Sequence, residues 1–428
     1  MAQLLSSLEQ TFLGLETPGV SFEYACILEL DRELDVELLR MHAEVALAAA
    51  PRYRQRIHRR ALRRARWEDD PEFQISRHVL DAHVAAPGST RELEALAGEL
   101  LATEMSPEHS PWRIWSVHGL ARGRGAVIAL VHHTLGDGLA GLQLLEHLLG
   151  RATPAPQPTL RPRPHVRSLL SWRNVRALAR LLRGGLSPAS QIGVNPRHVG
   201  RTRLVATHTV PLAQVREIQR ALDVTNNDVV LACVAGALRR YLTRHGLDCD
   251  AIHDVRAMVP VGRHAKATGA TAGNRVALLL APLPIDVADP RACATRISRA
   301  MRHSRSDAAG GDLLVAAAEL LGPIVLTDTL RLALRLRAFN AIVTNVPGPA
   351  VEGRLIGARL TGIVPIVNLW PHEALGIAAA SYAGTLSFGL QADRVTVPDL
   401  AALRDDLADA FEALRTASGA AVAGVSHA

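Results

Sequence analysis

Short apolar runs alternate along this chain with stretches whose apolar positions recur every three or four residues, a mixture that predicts an α/β protein. Strands are expected at 24–30 and 126–131, with helices at 36–50, 91–103 and 139–149. The alternation resumes with a strand at 204–210, a helix at 228–244, strands at 257–261 and 276–283, and a helical stretch at 291–304. Further strands are expected at 341–344, 378–382 and 385–390, the last two joined as a hairpin by Ala383-Gly384, and 399–414 reads as an amphipathic helix.

Between the two halves, Ala152-Thr153-Pro154-Ala155-Pro156-Gln157-Pro158, continuing to Pro162 and Pro164, is too rich in proline for a helix or a central strand. It divides the chain into a first lobe at 1–150, a linker segment at 151–202 and a second lobe at 203–428. Inside the linker segment Val166, Leu169, Leu170, Val175, Leu178, Leu181 and Leu182 recur at helical spacing. Arg167, Arg173, Arg176, Arg180 and Arg183 fill between them, and Gly184-Gly185 stops the pattern. This basic amphipathic helix either packs against the rest of the protein or, aided by Trp172, lies on a membrane or lipid-droplet surface.

With 428 residues, 48% of them apolar and 21% charged, the chain can bury a large core and is neither disordered nor fibrous. Its four cysteines include no C-x-x-C pair, so neither a disulfide framework nor a metal site is expected. The first residues lack the basic start and long apolar run of a secretory signal. No apolar run approaches the roughly 18 residues of a membrane-spanning helix, and a cytoplasmic protein is expected. The net charge of +7 comes almost entirely from arginine, since Lys266 is the single lysine. Flanked by Ala265 and Ala267, Lys266 cannot complete a Walker A loop, and G-x-S-x-G, H-E-x-x-H, G-x-G-x-x-G and EF-hand patterns are all absent. No cofactor is therefore expected. Arginines crowd 52–66, which reads as a solvated basic face or as a contact for an anionic ligand or acidic membrane. With only Tyr53 and Trp67 nearby, no nucleic-acid partner is expected.

The chemistry concentrates in Val131-His132-His133-Thr134-Leu135-Gly136-Asp137-Gly138, where a buried strand ends and a helix is expected to begin. A neutral imidazole at a strand end is well suited to accept a proton near neutral pH. Adjacent strand residues face opposite ways, so one of His132 and His133 acts while the other supports it, and the two cannot share one metal. Asp137 has an architectural role, fixing the loop, and Gly138 permits close backbone approach. A histidine merely satisfied within the fold is the competing reading.

This string resembles the H-H-x-x-x-D-G acyltransferases, and other segments make the chain similar to one branch, the bacterial wax ester synthase/diacylglycerol acyltransferase family. Trp67-Glu68-Asp69-Asp70-Pro71-Glu72-Phe73 with His78 resembles that family's W-x-D-D-P-x-F segment, and Pro111-Trp112 its P-L-W. Asn226-Asn227-Asp228-Val229-Val230-Leu231, Pro260-Val261 with Arg263, Gly273-Asn274-Arg275 and Thr344-Asn345-Val346-Pro347-Gly348-Pro349 follow in the family's order. Ser381-Tyr382 and Phe388-Gly389-Leu390 complete the series.

The resemblance implies two chloramphenicol acetyltransferase-like lobes, each a mixed sheet flanked by helices, with a channel between them. It implies transfer of an acyl group from acyl-CoA, as co-substrate, to an alcohol acceptor such as a long-chain alcohol or diacylglycerol, at a membrane or lipid-droplet surface. His133 matches the family's base. Asn227, placed just before the helix expected near Asp228, is the oxyanion candidate, although Thr225 and Asp228 also stand at capping-box spacing. Asp228, Arg263, Asn274 and Thr344 are the candidate substrate-binding residues, Arg263 also as a partner for Asp137, and 344–349 reads equally as a proline-glycine turn. Two other readings stand beside this one: an acyltransferase of the same fold acting on a small specialised metabolite, and a non-catalytic lipid-droplet protein.

Overall fold

The computed structural model describes residues 3–48, 50–60, 63–135, 144, 147–149, 187–263, 275–306 and 323–419. The proline-rich linker, the expected basic helix and most of the helix expected at 139–149 lie outside them. Numbered in chain order, the described elements of the first half are β1 (Gln3–Leu4), α1 (Ser7–Leu15), β2 (Glu23–Leu30), α2 (Val36–Ala46), β3 (Gln55–Arg60), β4 (Arg63–Asp69), β5 (Val79–His83), α3 (Thr90–Leu101), β6 (Trp112–His118) and β7 (Gly125–His132). The second half begins with β8 (Arg203–Pro211), α4 (Leu212–Leu222), α5 (Asn226–Arg244), β9 (Arg256–Arg263), β10 (Arg275–Pro282), α6 (Pro290–Ser306) and α7 (Pro323–Arg335). It ends with β11 (Ala341–Pro347), β12 (Arg354–Leu355), β13 (Ala358–Ile366), β14 (Leu375–Tyr382), β15 (Thr385–Asp393) and α8 (Leu400–Ala417).

Two six-stranded sheets carry the fold, ordered β12-β13-β2-β7-β6-β5 and β10-β9-β11-β14-β15-β8. The central strands β2 and β7 are apolar on both faces because both faces are covered. Tyr24, Leu28, Val127 and Val131 pack with Leu39 and Ala43 of α2. Ala25, Ile27, Ala126, Ile128 and Leu130 point the other way, onto Leu93, Ala97 and Leu101 of α3. In the second sheet Ala257, Val259, Ala341, Val343 and Ile377 face the helices α5, α6 and α8. Met258 and Ile342, one residue out of phase, face the first half, where they meet Leu15, Phe22, Leu334, Leu369 and Trp370 in an apolar cluster built by both halves.

The division at residue 203 does not follow sheet membership. The strand β13, far along the second half, pairs antiparallel with β2 of the first sheet, from Leu360↔Leu30 to Ile366↔Ala25. Close approach at the crossing depends on Gly389 of β15, where a Cβ would stand 2.0 Å from the Pro365 carbonyl oxygen. Within the second sheet, β9 pairs with β10 along its whole length but with β11 only at Ala257–Ala341 and Met258–Ile342. Beyond that point β11 is paired with β14, and the segment expected to be a turn at 344–349 is strand as far as Pro347.

Candidate active site

β7 ends at His132, and His133–Leu135 forms a single 3-10 turn. The ladder reaches one residue further than the strand, because His133 donates its N–H to the Phe22 carbonyl at 2.8 Å. As strand alternation requires, the two imidazoles part company at this point.

His132 is buried and fully engaged. Its Nε2 lies 2.9 Å from Glu16 Oε1, a carboxylate that can only accept, so Nε2 carries the proton. Its Nδ1 accepts the Thr134 backbone N–H at 3.1 Å, with Thr134 Oγ1 at 2.7 Å. Burial pushes the Glu16 carboxyl up, but its hydrogen bonds from His132 and Arg59 and the Arg59 charge hold the group below its ordinary value. Glu23, directly across the ladder from His132, is different. Burial raises its carboxyl to about 7 against the opposing pull of His132, and its Oε2 is buried without a hydrogen-bond partner among the described residues.

The His133 ring is half-buried and turned into the apolar cluster, with ring centroids 5.0 Å from Phe12 and 4.8 Å from Tyr24. Its Nε2 is 3.0 Å from Asn368 Oδ1. Asn368 is 1% exposed and donates its Nδ2 to the Leu369 carbonyl, which turns the amide oxygen toward the imidazole. Nε2–H is therefore the donor. Asn368 comes from the second half, two residues past Ile366 at the end of the strand that crosses into the first sheet. Sequence reading missed both Asn368 and Glu16, because each reaches the histidines only through tertiary contact.

The segments of the first half that resemble the family's motifs form a scaffold beneath the histidine pair. Phe73, His78 and Trp112 stack in series, with centroids 5.0 and 4.6 Å apart, and the His78 Nδ1–H donates to the Trp112 carbonyl at 2.9 Å. Asp70 caps its own turn by accepting the Glu72 N–H and holds His109 at 3.2 Å. This stack delivers the Pro111 carbonyl to the His132 N–H at 3.0 Å. The basic run is largely engaged within the protein: Arg52 lies over Trp67, Arg54 over Phe73, Arg56 pairs with Glu68 and Arg59 with Glu16.

In the second half, α5 starts at Asn226, so Asn227 lies in its first turn and not before it, and Thr225 is the N-cap. The capping box is present, with Asp228 Oδ2 accepting the Thr225 N–H at 2.9 Å. Asp228, a candidate for substrate binding, is 1% exposed; its Oδ2 serves the cap, while its Oδ1 is buried without a partner among the described residues. The Asn227 Nδ2 is buried without a partner among the described residues. Thr344 is half-buried on β11, opposite Ala378. Arg263 closes β9 in register with Arg275, its side chain outside the description, and Asp137, Gly138 and Asn274 lie outside the described residues altogether. Among the described residues no group of three His, Cys, Asp or Glu side chains converges to hold a metal.

The profile of the wax ester synthase/diacylglycerol acyltransferase catalytic domain matches residues 5–187, and that of the family's C-terminal domain matches 272–415. A Mycobacterium tuberculosis protein named for diacylglycerol O-acyltransferase activity is 30% identical over 99% of this chain and 92% of its own length. A second from that organism, tgs2, named likewise, is 31% identical over 83% of this chain and 85% of its own length. Among solved structures, the wax ester synthase/diacylglycerol acyltransferase of Marinobacter aquaeolei VT8 superposes with a TM-score of 0.73 at 24% identity, covering 97% of this chain and all of that one. The first condensation domain of the CDA synthetase superposes with a TM-score of 0.66 at 18% identity, over 98% of this chain and 97% of that one. These two likenesses show the shared fold.

Proposed function

This chain belongs to the wax ester synthase/diacylglycerol acyltransferase family of acyltransferases, and on that premise we propose that it esterifies a long-chain alcohol or a diacylglycerol with an acyl group taken from coenzyme A. The observation that carries this reading is the setting of His133. A proton-accepting side chain stands where the two halves meet, against buried apolar side chains contributed by both.

In this reaction His133 takes the proton of the acceptor hydroxyl, and the oxygen attacks the thioester carbonyl carbon. The tetrahedral intermediate collapses by breaking the carbon–sulfur bond, and the leaving thiolate takes the proton back from the imidazolium. General-base assistance of this kind is worth about 10² to 10⁴ in rate. Positioning of both substrates and stabilisation of the oxyanion supply the remainder. Because Nε2–H rests on Asn368, an acceptor hydroxyl that is to lose its proton to this nitrogen takes Asn368's place there, and the ring proton must first stand on Nδ1 so that Nε2 has a lone pair to offer. Asn227 is our proposed oxyanion donor, on the strength of its unpartnered buried Nδ2 in the first turn of α5, where the helix end is positive. His132 and Asp137 act as supports, Gly138 allows close approach, and Arg263, Asn274 and Thr344 line the substrates. No cofactor is needed beyond acyl-CoA as co-substrate. The reaction takes place in the cytoplasm at a membrane or lipid-droplet surface, a placement supported by the basic amphipathic pattern at 166–183.

The test is product identity. Purified protein is incubated with palmitoyl-CoA and, in separate reactions, hexadecanol, a diacylglycerol and a panel of small alcohols and amines, and the products are separated and weighed by mass spectrometry. Wax ester or triacylglycerol is the expected product. Esters or amides of the small acceptors alone would replace this reading with that of a small-metabolite acyltransferase, and no product with any acceptor would leave a lipid-binding protein.

A further inference from the structure

We propose that Glu16 is a positioning residue for acyl transfer, locking through His132 the turn that carries His133. The inference rests on the reading of His133 as the base. The His132 imidazole folds back over its own chain and takes the Thr134 N–H on Nδ1, closing a ring that encloses the backbone of His133. That ring holds only while Nδ1 is unprotonated. In the other tautomer an Nδ1–H would face the Thr134 N–H, donor against donor, and that backbone bond would be lost, leaving only Thr134 Oγ1, at 2.7 Å, to accept from the ring. Glu16 selects the tautomer by accepting Nε2–H at 2.9 Å, a charge-assisted bond that also fixes the ring plane. Arg59, paired with Glu16, helps keep the acceptor ionised.

The position of Glu16 is itself set by contacts with the second half. It is the C-cap of α1, and the tight turn that follows pairs Thr17 with Val20 in both directions. Arg203 donates to the Gly19 carbonyl in that turn, and Arg331 of α7 donates to the Gly14 carbonyl at the end of α1. Glu16 is thus clamped from both halves and in turn clamps the histidine pair. The second motif histidine has the chemical role, and the first has a backbone partner that only one of its tautomers can serve.

The variants Glu16→Ala and Glu16→Gln test this. Glutamine can accept the same Nε2–H through its amide oxygen and is expected to keep most of the rate. Alanine is expected to lower kcat by about 10- to 100-fold, the scale known for outer partners that orient metal-ligating histidines, with KM for acyl-CoA and acceptor nearly unchanged. Nitrogen-15 NMR of histidine-labelled protein reads the His132 tautomer directly: Nε2–H in the wild type and in Glu16→Gln, and loss of that single tautomer in Glu16→Ala. Wild-type kcat in a folded Glu16→Ala variant would overturn the proposal, as would an unchanged His132 tautomer. Should Glu16→Ala not fold, Arg59→Gln weakens the same clamp from outside, and an unchanged tautomer and kcat there would count against it equally. If the wild type transfers no acyl group at all, the reading of His133 has failed, and the tautomer measurement, which needs no turnover, still decides whether Glu16 sets His132.

Discussion

The imidazole of His133 meets the amide of Asn368 across the junction at 3.0 Å, so charge placed at 368 acts on the proposed base directly. Asn368→Asp puts a carboxylate beside the ring, where it stabilises the imidazolium and raises the histidine's proton affinity. The base must be neutral to act, so activity then begins at higher pH. The acidic limb of the kcat/KM profile is expected to move upward by about one unit or more. An unmoved limb would mean that Asn368 does not contact the base in the free enzyme. At this scale the sequence is legible only where chemistry is local. His132 and His133 stand in one short string with the acid and glycines that follow, whereas Asn368 is separated from His133 by 235 positions and Glu16 from His132 by 116. Neither Asn368 nor Glu16 belongs to a spacing pattern, and only the pairing of β2 with both β7 and β13 brings them together.

At the scale of elements, the first turn of α5 separates two roles that the string Thr225-Asn226-Asn227-Asp228 leaves entangled. Thr225 and Asp228 cap the helix by reciprocal bonds, while the Asn227 amide takes no part in the cap. Thr225→Ala is expected to cost about 1 kcal/mol of stability with kcat preserved. Asn227→Ala is expected to lower kcat by about 10² or more with the thermal midpoint preserved, the loss typical of an oxyanion donor. Denaturation curves and steady-state rates on both variants check this, and reversed effects would return Asn227 to a purely structural role. The elements that escaped sequence reading did so for visible reasons. β3 and β4 are almost wholly polar, and cross-strand pairs such as Arg56 with Glu68 hold them where an apolar alternation would normally announce a strand. In β13 a register shift between Leu360 and Gly362 breaks the period of two. By contrast β7 and β14 are nearly continuous apolar runs, Leu386, Phe388 and Leu390 alternate along β15, and the Ala383-Gly384 turn, with φ of 43° and 90°, is what a tight hairpin requires.

On the scale of the whole molecule, the two halves are interlocked. β13 leaves the second half to complete the first sheet, α1 packs beneath α7, and Arg203 is buried between the Gly19 and Gly200 carbonyls. Hydrophobic periodicity identifies two alternating halves, but it carries no information about which sheet a late strand joins, so a boundary at 203 is the natural reading of a chain whose topology crosses it. The crossing matters for function because it sets Asn368 beside His133 and completes the apolar cluster with Leu369 and Trp370. The proposed function therefore turns on one step, proton transfer by the imidazole at this junction. The most direct measurement is steady-state transfer from palmitoyl-CoA to a diacylglycerol or hexadecanol by wild type and by His133→Ala, with thermal midpoints recorded for both. The predicted result is a loss of about 10² to 10⁴ in kcat with the midpoint retained; a folded variant that still turns over at close to the wild-type rate would contradict it.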